Sequence, residues 1–261
     1  MEEWTSATAQ RAAELLWAAW RSGRRLAELP ADLRPASVED GFAVQEVLAA
    51  IAGPSYGWKI AATSAAGQAH IGVDGPLAGR LFDRFRHEEG ERLPVGDNLL
   101  RVADAEFAFV MAADLGGGRE PLAEAEVLAA VAALHLAVEA PDTRLAGYES
   151  VGPAQLVADD GVAGRFVLGP SVPGWAQLDL ATLPTALHVN GELARTGRGG
   201  NVLGDPRTAL SWLANELRRL GSGLRTGDVV TTGTTTTPAA IGRGDDVVAD
   251  FGALGRVRVR F

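Results

Sequence analysis

The chain has 261 residues, 47% of them apolar, enough for one large domain or a compact domain with a smaller appendage. Its 24 basic and 33 acidic residues leave a formal charge of -9, which repels phosphate backbones and anionic lipid and argues against nucleic-acid and membrane-surface partners. Cysteine is absent, which removes disulfides, thiolate zinc sites and cysteine nucleophiles.

The start, Met1-Glu2-Glu3-Trp4, lacks the basic and apolar runs of a secretion signal, and the apolar stretch over 127–138 is too short to span a bilayer. A cytoplasmic location is the expectation. Residues 6–20 carry Ala12, Leu15, Leu16 and Ala19 at helical spacing, extended by Trp20, and predict an amphipathic helix ended by the basic run over 21–25. Ser37, with Asp40 three residues on, predicts a capped second helix running to about Ala52, where Gly53-Pro54 breaks it. Residues 56–60 read as a short strand in which Lys59 sits between Trp58 and Ile60. Such a lysine ordinarily holds its head in water, but one turned into a pocket gains a useful acid-base pKa. The glycine-bearing stretch 63–92 reads as a loop-rich connection able to cover a site.

Residues 99–111 predict a strand with period-two alternation. Asp104, Glu106, Ala108 and Val110 fall on one face; Ala105, Phe107, Phe109 and Met111 fall on the other. The two acids stand about 6.6 Å apart along the backbone and are able to lean onto one cation. From spacing alone the simpler account is a half-exposed strand with a solvated acidic face. A helix is predicted over 121–134, and 135–139 either continues it or forms a short strand ending at Pro141, with Glu139 a candidate third ligand. Further strands are expected at 165–169 and 183–189, the latter turning at Asn190-Gly191, and a helix opened by Asp205-Pro206 continues to Leu220. The glycine-rich run 197–201 matches no phosphate-binding spacing, and Asp205 would repel an anion there. The last forty residues read as a β-meander over 228–232, 246–251 and 257–261, with the hydroxyl run 234–237 able to bind a carboxylate. Helices first and strands later predict an α+β fold, divided as a helical segment 1–56 and a β-rich unit 57–261, together one compact unit. His70, His87, His135 and His188 show no metal-ligand spacing, and zinc-protease and serine-elbow motifs are missing.

In order and spacing, several segments resemble the 2-keto-4-pentenoate hydratase and 4-oxalocrotonate decarboxylase group of the fumarylacetoacetate hydrolase superfamily. They are Val38-Glu39-Asp40-Gly41-Phe42-Ala43-Val44-Gln45, Gly57-Trp58-Lys59-Ile60-Ala61-Ala62-Thr63-Ser64, Ile71-Gly72-Val73-Asp74, the strand through Asp104 and Glu106, Glu139-Ala140-Pro141-Asp142-Thr143-Arg144, Leu203-Gly204-Asp205-Pro206, Trp212-Leu213-Ala214-Asn215 and Ala249-Asp250-Phe251-Gly252-Ala253-Leu254-Gly255. The resemblance covers nearly the whole chain. It implies a helical segment packed on a mixed, mostly antiparallel β-roll or sandwich. It also implies Asp104, Glu106 and Glu139 as ligands of Mg2+ or Mn2+, a donor set suited to a hard cation. Lys59, Asp74 and Thr234 would be catalytic, and Thr63, Ser64, Asp142, Arg144, Asp160 and Thr235 would bind a small anionic 2-oxo acid.

The implied activity is a metal-dependent lyase that hydrates a short 2-hydroxydienoic acid through a metal-stabilised enolate. The alternatives are a decarboxylase or carbon-carbon hydrolase using the same site, and a non-catalytic binding protein that retains the fold. Two departures motivate them: Leu77 follows Pro76 where relatives carry Asp, and Asp159-Asp160-Gly161-Val162 replaces Asp-Asn-Ala-Ser, with Thr234 and Thr235 in place to supply a replacement hydroxyl. Asp104 also stands where many relatives carry Glu. The resemblance further implies a homo-oligomer, with Trp17 and Trp20 of the first helix as either a contact face or monomer packing.

Overall fold

The computed structural model describes residues 4–96, 98–118 and 120–261, so the Met1 to Glu3 segment read for a secretion signal lies outside the described residues. Thr5 opens helix α1 (Ser6–Ser22) by accepting the Thr8 N–H, and Gly23 ends it in the left-handed conformation. Ser37 and Asp40 close a reciprocal capping box on α2 (Val38–Ala52), as the spacing predicts. These two helices share a core with Leu29, Leu145 and Ala158. Trp17 and Trp20 of α1 are occupied within the chain: Arg84 stacks on Trp17 at 4.7 Å, and Arg144 on Trp20 at 4.1 Å. No helix among the described residues is long and apolar enough to cross a membrane.

The chain continues through β1 (Ser55–Ala61), α3 (Ala65–Ile71), β2 (Leu77–Phe82), β3 (Arg86–His87), β4 (Val102–Met111), α4 (Glu124–Ala129), β5 (Val131–Ala140), α5 (Pro153–Ala158), β6 (Arg165–Ser171), β7 (Pro184–Val189), β8 (Glu192–Arg198), α6 (Pro206–Arg219), β9 (Val229–Thr234), β10 (Ala239–Ala240), β11 (Asp246–Asp250) and β12 (Arg256–Arg260). An eight-stranded mixed sheet runs β2-β1-β9-β4-β5-β6-β3, with β10 added to β4, and a separate antiparallel sheet runs β12-β11-β7-β8. Phe107 on β4 meets Phe251, just after β11, at 5.2 Å between ring centroids. Phe107, Phe109, Leu134 and Leu136 are fully buried, each contributing roughly 2 kcal/mol of transfer free energy. The α+β class and the mixed, largely antiparallel sheets agree with expectation.

Four local expectations are corrected. The helix expected over 121–134 shrinks to α4, and Val131 begins β5. Both faces of its inner half are buried while β4 and β6 pair along its edges, and a continuous apolar run fits such a strand as well as a helix. The expected loop over 63–92 contains α3, capped by Ser64, and β2, which pairs antiparallel with β1. The expected terminal meander is split, because β9 inserts between β1 and β4 in the large sheet while β11 and β12 lie in the other. The solvated face foreseen for β4 is also absent: Asp104, Glu106 and Ala108 are all buried.

Candidate metal centre

Period-two alternation puts Val102, Asp104 and Glu106 on one face of β4, and all three line a cavity of about 450 Å³. The antiparallel register sets Asp104 directly opposite Glu139 on β5. Ligand oxygens of Asp104, Glu106 and Glu139 consequently lie within 4.8 Å of one another. The three carboxylates are almost fully buried, at 5%, 2% and 1% exposure.

On the other side of β4, the pairing with β9 is irregular between Glu106 and Ala108. This bulge turns the Gly233 N–H onto Glu106 Oε2 at 2.9 Å, and the Thr231 hydroxyl donates to the same oxygen. Gly233 has φ 99°, and a Cβ there would lie 2.1 Å from Thr63 Oγ1, so both backbone and packing require glycine. Lys59 reaches the same cavity from β1. Its Nζ lies 3.3 Å from Glu139 Oε2 and donates to the Gly161 carbonyl at 3.2 Å. Gly79, opposite Lys59 on β2, leaves room for the lysine stem; a Cβ there would sit 3.1 Å from Lys59 Cγ and 2.2 Å from the Asp160 carbonyl oxygen.

One lysine facing three buried carboxylates leaves an excess of negative charge. Burial, then the neighbouring Glu139, pushes the Asp104 carboxyl up to about 7. Burial, then Glu139 and Asp104, raises Glu106 well above the usual carboxylate range. Asp104 Oδ1 and Glu139 Oε1 are buried with no hydrogen-bond partner among the described residues. Orphaned acceptors of this kind are costly, and a divalent cation among them would satisfy both at once. The all-oxygen donor set fits a hard cation.

The remaining residues singled out from sequence fall into two groups. Thr63, Ser64 and Thr234 line the cavity with Lys59. Ser64 spends its hydroxyl capping α3, and the Thr234 hydroxyl donates to the Thr236 carbonyl at 2.8 Å. The others lie outside the cavity lining. Asp74 borders a separate recess with Pro76 and Leu77. Asp142 pairs with Arg25 at 3.2 Å and accepts the Leu99 N–H at 2.8 Å. Arg144 is locked to the buried Asp159. Asp160 accepts the Arg80 N–H at 2.8 Å, and Thr235 donates to the Ala105 carbonyl at 2.8 Å. Sequence reasoning did not single out Thr231, Gly233 or the Gly161 carbonyl. Their approach depends on the insertion of β9 and on the left-handed run Asp160, Gly161 and Val162, at φ 60°, 57° and 62°.

The model of the fumarylacetoacetate (FAA) hydrolase C-terminal family matches residues 92–261, which hold all three carboxylates. The chain belongs to the fumarylacetoacetate hydrolase family. It is 32% identical over 256 residues to a 2-keto-4-pentenoate hydratase of Paraburkholderia xenovorans, covering 97% of this chain and 94% of that one. It is 36% identical over 166 residues to a 2-hydroxypent-2,4-dienoate hydratase of Pseudomonas putida, covering 63% of this chain and 73% of that one. Among solved structures, 4-oxalocrotonate decarboxylase from Pseudomonas putida G7, complexed with magnesium and adipate, superposes with a TM-score of 0.89 at 27% identity over the whole of both chains. Family membership thus agrees with the resemblance read from the sequence.

Proposed function

We propose that this family member is a divalent-metal-dependent lyase of the 2-keto-4-pentenoate hydratase type, acting on a short 2-oxo or 2-hydroxydienoic acid. The observation that carries this reading is the convergence of three buried carboxylates, two with orphaned oxygens, beside one buried lysine. Near-full-length similarity to hydratases supports the reaction type. Asp104, Glu106 and Glu139 would hold the cation, with magnesium or manganese the best match to an all-carboxylate set. Bound there, the cation supplies Lewis-acid charge that favours the enolate of a chelating 2-oxo acid.

The chain's own groups do the rest. Thr231 and Gly233 fix Glu106 through one oxygen, Oε2, and neither donor occupies the other. Lys59 Nζ, pinned between Glu139 and the Gly161 carbonyl, holds a proton at the cavity wall where it can be passed to a substrate carbon or oxygen. Apolar walls that include Ile60, Leu100, Val102 and Val162 restrict water to the polar end.

Replacing Glu106 by Ala tests the assignment. Metal affinity and turnover should both collapse, and their persistence would remove the basis of the proposal. The similarity to a decarboxylase over the full chain favours decarboxylation as the second reading. Mass spectrometry of products from a panel of oxo acids separates the two, since one adds water and the other loses carbon dioxide.

A further inference from the structure

The three carboxylates and Lys59 stand together in the cavity, and its other polar lining groups are neutral hydroxyls and His70. Glu106, Asp104, Val102 and Leu100 follow one another at every second position along β4 and its lead-in, and all four line it. At about 6.6 Å per pair of residues, the wall changes from carboxylate to hydrocarbon within one step of the strand. Pro141, Pro238 and Val162 continue the apolar surface. At roughly 30 Å³ per heavy atom, the head group of a 2-oxo acid fills under about 200 Å³. The cavity holds about 450 Å³, so more than half remains for the rest of the molecule.

No cation is free to meet a second carboxylate there. Among the described lining residues, the basic side chains are Lys59 and His70. Lys59 is committed to Glu139 and the Gly161 carbonyl. At the rim His70 lies 3.7 Å from Glu149 and 3.3 Å from the Tyr148 hydroxyl, so its charge, when present, is already opposed by a carboxylate. An anionic tail would lose its hydration and gain only neutral hydroxyls such as those of Thr236 and Thr237, with the Glu149 carboxylate beside His70 opposing it.

We infer that the site selects monocarboxylic 2-oxo acids with an uncharged, apolar tail longer than a vinyl group, and that Leu100 and Val102 are the residues that hold the tail. The inference rests on the metal-chelate reading above and narrows its substrate class. It also separates this chain from the decarboxylase it resembles, whose complex contains adipate, a dicarboxylate.

Titration calorimetry on the magnesium-loaded chain tests it with oxalate, 2-oxohexanoate and 2-oxoadipate. The last two share head group and length and differ in a terminal methyl against a carboxylate. 2-Oxohexanoate should bind about tenfold more tightly than 2-oxoadipate, or better. Leu100→Arg, at a half-buried position, should narrow or invert that ratio while oxalate still binds. Equal or tighter binding of 2-oxoadipate by the unsubstituted chain overturns the inference. An unchanged ratio in a Leu100→Arg chain that still binds oxalate overturns the assignment of Leu100. If Leu100→Arg does not fold, the ratio in the unsubstituted chain decides alone. Oxalate binding without discrimination overturns this inference and leaves the metal-chelate reading standing, whereas no oxalate binding at all fells both.

Discussion

Stripping divalent cations should make the protein's stability fall as pH rises from about 4 to 8, the reverse of ordinary acid denaturation. In the metal-free chain Asp104 is pushed from the usual 3.8 up to about 7 by burial and by Glu139. A carboxyl whose folded pKa lies above its unfolded one binds more protons in the folded state. Its stabilising contribution is therefore complete below about pH 4 and is lost as pH climbs through 7. Each pH unit between the folded and unfolded values is worth about 1.4 kcal/mol, so Asp104 alone removes on the order of 4 kcal/mol across that window. Glu106 shifts the same way and adds to the loss. Urea denaturation of EDTA-dialysed protein at pH 5 and pH 8 measures it, and magnesium should restore most of the stability at pH 8. Asp104→Asn should shrink the dependence without abolishing it, because buried Asp160 is also pushed up to about 7. A metal-free protein equally stable at both pH values, or more stable at pH 8, would refute the charge-excess account of the centre.

Lys59→Met removes the buried ammonium beside Glu139; turnover should drop by about a hundredfold or more while magnesium still binds, and steady-state kinetics beside calorimetry check both halves. Thr231→Val removes one donor to Glu106 and should weaken metal affinity by roughly tenfold with little change in fold, as read by metal titration and circular dichroism. Asp159→Asn leaves the Arg144 guanidinium buried without its carboxylate, so stability should fall by about 3 kcal/mol. A change in oxo acid affinity with unchanged stability would instead assign Arg144 to the substrate.

Features set by neighbours in the chain were legible in the sequence. Ser37 with Asp40, Asp205 with Pro206, and Asn190 with Gly191 each act within four residues, and each stands where its chemistry predicts. The shared face of Asp104 and Glu106 follows from strand period alone. Spacing is silent on what lies across a sheet. The opposition of Glu139 to Asp104 depends on register, and Thr231 reaches Glu106 only because β9 enters between β1 and β4. Residues 131–140 misled for a related reason, since an apolar run without alternation encodes burial and not the element that is buried. Asp142 and Arg144 show the converse. Family pattern draws attention to them, while their hydrogen bonds are spent on Arg25, Leu99 and Asp159.

The position of β9 has a consequence for how the molecule is made. A ribosome delivers β1 and β4 long before residues 229–234, yet these two strands never touch in the finished sheet; each waits for β9 to fill the slot between them. Until it arrives, the nascent chain carries two open strand edges, and Glu106 lacks both of its donors. The metal centre is therefore among the last parts to be completed during biosynthesis. Chains arrested before Val229 should be clients for chaperones and should not retain divalent metal.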